Sequence, residues 1–366
     1  MKTIVLTGGG TGGHIIPHLS LLPLLKKHFN KIYYLGTSGL EKEIISKQPD
    51  ITFCEISAQK MQRDKFLKNL SLPFCLIKSV CSCKKLLKQI KPDVIFSKGG
   101  FVSVPVCLAS KLLKIPIVSH ESDLSLGLAN KIIYKVCTTF CTSFYQTAQN
   151  LPKAIYTGSP IRQELFYGSK QKGYNLTGFN NPSTPTVMII GGSTGALNLN
   201  KIIYSSLPTL TKKYNVIHIV GKNKANKTLP NYPNYCQIEY CHDIQNLFAI
   251  TDLVVSRAGS NAICEFLALK KPMLLVPLPL TASRGDQIDN AKYFQKQNLA
   301  LVLPQEELTE KSLINKLDYL YKNKNMFIEN MTSSKIKLNG TQNILQEILK
   351  AIKSWHLNFK IKSLIT

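Results

Sequence analysis

"LTGGGTGGHIIPHLS", residues 6–20, follows the apolar run Ile4-Val5-Leu6 and leads into positions with helical spacing. A strand that breaks into glycine and continues as a helix leaves backbone N–H groups unpaired and a partial positive charge at the helix start. Glycine lets the chain turn sharply and lets an anion approach without a Cβ in the way. A phosphate or a sugar hydroxyl near Thr11-Gly12-Gly13 satisfies that loop equally well, and a tight turn without ligand is the bland alternative. Gly8, Gly10 and Gly13 also fit the G-x-G-x-x-G spacing of a dinucleotide site. That reading requires an acid at the end of the second strand to hold ribose hydroxyls. The second strand ends "YYLGTS", residues 33–38, and the first acids, Glu41 and Glu43, fall in the next helical stretch, so the nicotinamide reading is demoted.

Working outward, short apolar runs at 2–7, 32–35, 93–97, 115–119 and 154–157 alternate with amphipathic stretches such as 75–90 and 104–114. This alternation predicts an α/β domain with a mainly parallel sheet. Residues 168–185, rich in Gly, Asn, Ser and Pro, read as a linker or surface loop. The pattern restarts at "TVMIIGGSTGALNLNKII", residues 186–203, followed by apolar runs at 215–220, 252–256 and 273–277. Two α/β halves, each opening on a glycine turn, predict a duplicated architecture with a cleft between them. A third glycine turn, "FSKGGFVSVP" at 96–105, joins the first half. Three backbone anion sites in strand–loop–helix contexts suit substrates that carry diphosphates.

At 366 residues the chain is long enough for two domains. No apolar stretch approaches the roughly 20 residues of a membrane helix, and "MKTIVLTGGG" does not read as a secretory signal. The ten cysteines, Cys81 and Cys83 forming only C-x-C, are expected as reduced thiols without a metal site, in the cytosol. Lys+Arg 46 against Asp+Glu 21 leaves a net charge of +25, which favours an anionic partner: nucleic acid, acidic lipid headgroups or phosphorylated substrates. Scattered surface lysines are the alternative, and no RNA-binding signature accompanies them.

The segments "GGGTGGHIIP" (8–17), "KGGFVSVP" (98–105), "HESDLSLGLANK" (120–131), "TGSPIR" (157–162), "GGSTGA" (191–196), "SRAGSNAICEF" (256–266) and "RGDQIDNA" (284–291) stand in the order seen in MurG-type glycosyltransferases. The chain resembles that family, the UDP-N-acetylglucosamine:undecaprenyl-diphospho-muramoylpentapeptide β-N-acetylglucosaminyltransferases, from residue 1 to about 345. The resemblance implies a GT-B fold: two Rossmann-like domains, with parallel sheets facing a central cleft. The implied boundaries are an acceptor and membrane domain at 1–163 and a UDP-GlcNAc donor domain at 164–344, with a C-terminal helix at 345–366 packing back on the first. The implied reaction moves GlcNAc from UDP-GlcNAc to the muramoyl 4-hydroxyl of lipid I, with inversion, giving lipid II at the cytoplasmic face of the cell membrane. It needs no cofactor and no metal. Implied partners are UDP-GlcNAc, lipid I, the anionic inner membrane and the cell-wall synthesis machinery, but no nucleic acid. Rival readings are a GT-B transferase acting on diacylglycerol and a basic nucleotide- or RNA-binding protein without chemistry.

Carried over residue by residue, Thr11, Gly12 and Gly13 lie near the donor GlcNAc, and Gly99 and Gly100 help hold the acceptor diphosphate. Ser193 and the helix start Ser260-Asn261-Ala262 serve the donor phosphates, and Arg162 is a further donor-site residue. Glu265 grips the uridine ribose, and Gln287 reads GlcNAc hydroxyls. Where relatives have an amide this chain has Asp123, which still accepts from a sugar hydroxyl but loses the amide's donors. Asp286 similarly replaces a glutamine before Gln287. Inversion needs a base for the acceptor hydroxyl. His14, just after the first glycine loop, is one candidate and Glu121 the other; their alternatives are a hydrogen-bonding wall residue and a structural cap before 126–136. His18, one helical turn from His14, is placed to share its face. In "FLKNLSLPFCLIKSVCSCKKLLK", residues 66–88, Phe74, Leu76, Ile77 and Val80 mix with Lys78, Lys84, Lys85 and Lys88. That mixture suits a peripheral membrane surface, or a helix that packs one side on the sheet and solvates its lysines.

Overall fold

The computed structural model describes residues 2–60, 71–191 and 196–365, with side chains to residue 357 in the last helix. The chain forms two compact units, Met1–Ile161 with Ile336–Thr366, and Arg162–Lys335.

The first unit begins β1 (Thr3–Thr7), α1 (Gly12–Leu25), β2 (Lys31–Gly36), α2 (Leu40–Ile45) and β3 (Thr52–Glu55). It continues α3 (Leu72–Ile90), β4 (Val94–Ser97), α4 (Ser103–Leu112), β5 (Ile117–Glu121), α5 (Leu128–Val136), β6 (Thr139–Thr142), α6 (Tyr145–Gln149) and β7 (Ala154–Tyr156). The sheet is parallel throughout, in the order β3-β2-β1-β4-β5-β6-β7. Strand β1 shows why it is sandwiched. Ile4 and Leu6 belong to one core cluster with α1 residues Ile15, Leu21 and Leu25, whereas Val5 packs with Cys83 and Leu87 of α3 on the other face. Each of these fully buried aliphatic side chains contributes about 1.5–3 kcal/mol of burial. Helices on both faces make the strand apolar at every position, which is why it is legible as a continuous run.

The second unit comprises α7 (Lys170–Thr177), β8 (Thr186–Ile190), α8 (Leu197–Leu210), β9 (Asn215–Ile219), β10 (Tyr235–Ile238), α9 (Ile244–Ile250) and β11 (Leu253–Ser256). Then follow α10 (Ser260–Ala268), β12 (Met273–Leu275), α11 (Asp286–Lys296), β13 (Leu301–Val302), α12 (Glu310–Lys322) and α13 (Lys324–Ser333). Its parallel sheet has the order β10-β9-β8-β11-β12-β13, so each unit is doubly wound about its first strand. The last helix, α14 (Gly340–Ile365), belongs to the first unit, where Ile344, Ile348 and Ile352 join the cluster around Ile4 and Leu6.

Two expectations need correction. Residues 168–185 contain a helix, α7, capped by the Ser169 hydroxyl accepting from the Lys172 N–H. Its Gly173 makes a close contact with α9: a Cβ there would lie 2.3 Å from the Asn246 carbonyl oxygen. The glycine that reads as loop punctuation is a packing residue. Trp355, on α14, donates its indole N–H to the Lys114 carbonyl at 2.7 Å. The chain passes to the second unit after Ile161 rather than 163, and returns at Ile336 rather than 345.

Candidate functional site

In a doubly wound sheet, ligands gather at the carboxyl ends of the strands flanking the point where strand order reverses. In the first unit that point lies between β1 and β4, and the loops leaving these strands are the first two glycine turns. Helix α1 starts at Gly12 with Thr11 extended (φ −151°), no side-chain cap and no acid in its first turn. The crook of the loop before it is already occupied. Glu41, 1% exposed, accepts from the Gly10 N–H at 3.3 Å through Oε2, and from the Thr37 N–H at 3.0 Å through Oε1. A Cβ on Gly9 would lie 2.7 Å from that Oε1, so this glycine makes room for a carboxylate of the chain itself. An anion seated there opposes a pyrophosphate at the same amides. The acid absent from the end of β2 has folded back from α2 onto the glycine loop.

His14 stands where the two glycine loops meet. Its Nδ1 lies 3.1 Å from the Gly9 carbonyl and 3.1 Å from Thr11 Oγ1. A Cβ on Gly100, at φ +79°, would lie 2.5 Å from the Gly9 oxygen and 3.1 Å from His14 Nδ1. A carbonyl can only accept, so Nδ1 carries the proton and the ring's lone pair sits on Nε2, the arrangement a base requires. His18 does not share that face. It is fully buried, edge-on to Tyr34 and Phe96, and Nε2 donates to the Thr7 carbonyl at 3.2 Å. Burial, and then the Lys98 charge, lower its pKa to about 3, so it stays neutral.

Glu121, the alternative base, is 4% exposed and engaged by its own loop. It accepts from the Asp123 N–H at 3.1 Å, the Gly127 N–H at 3.0 Å and Asn130 Nδ2 at 3.0 Å. Burial and then neighbouring Asp123 push its pKa up. This carboxylate clamps the 121–127 turn onto α5, and Asp123 stands half-buried beside it. Gly99, at φ +82°, faces the same α5 residue, since its Cβ would lie 2.6 Å from Asn130 Oδ1.

In the second unit the equivalent reversal falls between β8 and β11. Ser193 lies outside the described residues. Beyond β11, Gly259 precedes α10, whose first turn holds buried Ser260 and half-buried Asn261 and Ala262, with no acid. One turn further, Glu265 accepts two parallel bonds from Arg162: Nε to Oε1 at 2.7 Å and Nη2 to Oε2 at 2.9 Å. Burial opposes the Arg162 charge, but Glu265 outweighs it and the guanidinium pKa is raised. Each carboxylate oxygen keeps a further lone pair, so Glu265 can still accept from a hydroxyl. Gln287, in the first turn of α11, accepts from the Leu278 N–H at 3.1 Å through Oε1, which makes its amide NH2 the group for reading a ligand hydroxyl. Asp286 lies 3.5 Å from Arg284 Nε. Two buried side chains brace the turn before α10. Arg257 Nη1 donates to the Val276 carbonyl at 3.1 Å, and Asn290 Nδ2 to the Ala258 carbonyl at 3.2 Å.

The lysine-flanked stretch is split by its helix. Phe74 (77% exposed) and Ile77 (62%) stand on the outer face of α3, whereas Leu76 and Val80 pack against the core. Lys78, Lys85 and Lys88 are exposed and Lys84 is half-buried; residues 66–70 lie outside the described residues. Among the described residues no helix is long and apolar enough to cross a membrane, and no group of three or more His, Cys, Asp or Glu could hold a metal ion.

Sequence reading missed Lys98, His120, Asn130 and Glu41, buried polar residues that shape these loops. For Lys98 and His120 the signal available was a position within one residue of a strand end; Asn130 and Glu41 lie inside helices and carried no such signal.

Two doubly wound parallel domains match the GT-B fold. The chain belongs to glycosyltransferase family 28: the family's N-terminal domain model matches residues 4–142 and its C-terminal domain model residues 186–348. A relative from Clostridium botulinum is 47% identical over 357 residues, spanning 96% of this chain and 100% of its own length. One from Clostridium tetani is 46% identical over 353 residues, 95% of this chain and 98% of its own. Both are named UDP-N-acetylglucosamine--N-acetylmuramyl-(pentapeptide) pyrophosphoryl-undecaprenol N-acetylglucosamine transferase. Among solved structures, Acinetobacter baumannii MurG aligns with a TM-score of 0.72 at 24% identity, over 96% of this chain and 100% of that one. A calicheamicin glycosyltransferase aligns at 0.68 and 12% identity, over 97% and 99%. At these identities the two structures speak for the fold alone.

Proposed function

We propose that this chain transfers GlcNAc from UDP-GlcNAc to the muramoyl 4-hydroxyl of lipid I, forming lipid II with inversion at the anomeric carbon. The observation that carries the reading is 47% identity with a transferase of that name along nearly the whole of both chains. The second unit takes the donor. N–H groups of Ser260, Asn261 and Ala262 meet the diphosphate, Glu265 accepts from the ribose, and Gln287 donates to a GlcNAc hydroxyl; the family resemblance assigns Ser193 to the same phosphates. Arg162 holds the Glu265 carboxylate in place and adds a positive charge near the phosphates. The first unit takes the acceptor, with its diphosphate at Gly99 and Gly100. Thr11, Gly12 and Gly13 line the reacting centre, and Asp123 accepts from a sugar hydroxyl. As the 4-hydroxyl oxygen bonds to the anomeric carbon and the bond to UDP breaks, His14 Nε2 takes the hydroxyl proton. The charge released onto UDP is met by helix-terminal N–H groups already in position.

The acceptor is a polyprenyl lipid, so the enzyme works at a membrane surface. Phe74 and Ile77, ringed by Lys78, Lys84 and Lys85, supply apolar contact and positive charge for peripheral binding to the anionic inner leaflet, alongside the cell-wall synthesis machinery. The test is UDP release from UDP-GlcNAc with a lipid I analogue or with diacylglycerol. Release that depends on the lipid I analogue supports the reading. Transfer to diacylglycerol, or no release with either acceptor, overturns it.

A further inference from the structure

Lys98 is the residue between β4 and the Gly99–Gly100 turn, and its backbone N–H extends the β1–β4 pairing by donating to the Thr7 carbonyl at 3.0 Å. Its side chain is 1% exposed. The ammonium donates to His120 Nδ1 at 2.5 Å and to Ser122 Oγ at 2.5 Å, both at the carboxyl end of β5. The other ring nitrogen of His120 donates to the Gly158 carbonyl at 3.1 Å, in the turn after β7. Each of these groups is buried, and His120 is neutral, since burial and then the Lys98 charge hold its pKa well below the ordinary histidine range.

A buried ammonium is costly: a methionine would fill the same room without desolvating a charge. Stability therefore does not explain the lysine, but its location does. One residue on, Gly99 donates its N–H to Ser97 Oγ at 3.1 Å and its carbonyl accepts from Ser103 Oγ at 2.8 Å, so the turn is held at both ends. Lys98 ties this turn to Ser122, the neighbour of Asp123.

We propose that Lys98 is a positioning residue for the acceptor. Its ammonium, pinned between His120 and Ser122, sets the Gly99–Gly100 turn in register with the 121–127 turn and brings a fixed positive charge to the turn assigned to the acceptor's diphosphate. The inference rests on the assignment of that turn to the acceptor.

The test is steady-state kinetics of the full chain with UDP-GlcNAc and a lipid I analogue, comparing wild type with Lys98→Met and Ser122→Ala. Loss of a charge-assisted hydrogen bond is expected to raise the acceptor KM about tenfold or more in Lys98→Met and less in Ser122→Ala. The UDP-GlcNAc KM should stay within about twofold in both. A merely structural role would move both KM values together, or lower Tm alone. Equal shifts in the two KM values, or an unchanged acceptor KM, overturns the proposal. If Lys98→Met fails to fold, Ser122→Ala decides by the same split. Wild-type turnover of the lipid I analogue is the control: its absence would refute the proposed function, whereas wild-type turnover without the acceptor-specific effect would refute the role of Lys98 alone.

Discussion

His14 owes its chemistry to two neighbours, because the Gly9 carbonyl fixes the ring proton on Nδ1 and the absence of a Cβ on Gly100 lets the second turn lie against it. Replacing it with alanine removes the proposed base and leaves the side chains of the second unit unchanged. His14→Ala should therefore lower kcat by about 10²–10⁴-fold with the UDP-GlcNAc KM nearly unchanged. Near-normal kcat would take the base assignment away from this residue. Three other histidines bear on stability. Burial depresses His18 and His218 to about 3, and depresses His120 well below its ordinary value, with Lys98 adding to the shift at His18 and His120. In the unfolded chain all three titrate near 6.5, so there the unfolded state binds more protons than the folded state does. Their contribution is whole above pH 6.5 and is lost as pH falls toward 3, at up to about 1.4 kcal/mol per histidine per pH unit. Denaturant titrations at pH 7 and pH 5 should show lower stability at pH 5, and His218→Asn should flatten the slope. A slope of opposite sign would contradict the neutral, buried assignment.

Helix α3 carries an argument that no single residue carries. Its inner face supplies Cys83 and Leu87 to the core, and its outer face leaves Phe74 and Ile77 exposed among lysines. Phe74→Ser with Ile77→Ser should weaken sedimentation with anionic vesicles severalfold, since each apolar tip withdrawn from the interface costs about 1 kcal/mol or more. Turnover of a water-soluble acceptor analogue should not change. Vesicle binding that survives the double substitution would move the membrane contact elsewhere. At this scale the sequence was legible where burial is two-sided. Strands β1, β4 and β11 are continuous apolar runs because helices cover both faces of the sheet. It was less legible at β3 ("TFCE") and β6 ("TFCT"), four-residue strands whose threonines dilute the apolar signal. Helix α7 was hidden by Gly173, which serves a helix contact although it resembles a turn residue.

Across the whole chain, two doubly wound sheets follow from an apolar strand, a glycine turn and a helix stated twice in the sequence, at 2–25 and 186–210. The glycine turns were legible because their spacing is local. The Arg162–Glu265 pair joins residues 103 apart, and the bond from Lys98 to His120 spans 22, so no periodicity reports them. Glu121, the second sequence candidate for the base, is held by partners only two, six and nine residues away, Asp123, Gly127 and Asn130. The most direct measurement of the central claim is the anomeric configuration of the product made from UDP-GlcNAc and a lipid I analogue, read from the proton coupling of the new linkage by NMR. The account predicts a β-linked GlcNAc on the muramoyl 4-hydroxyl, formed only when the acceptor is present. An α linkage, or free GlcNAc as the sole sugar product, would contradict it.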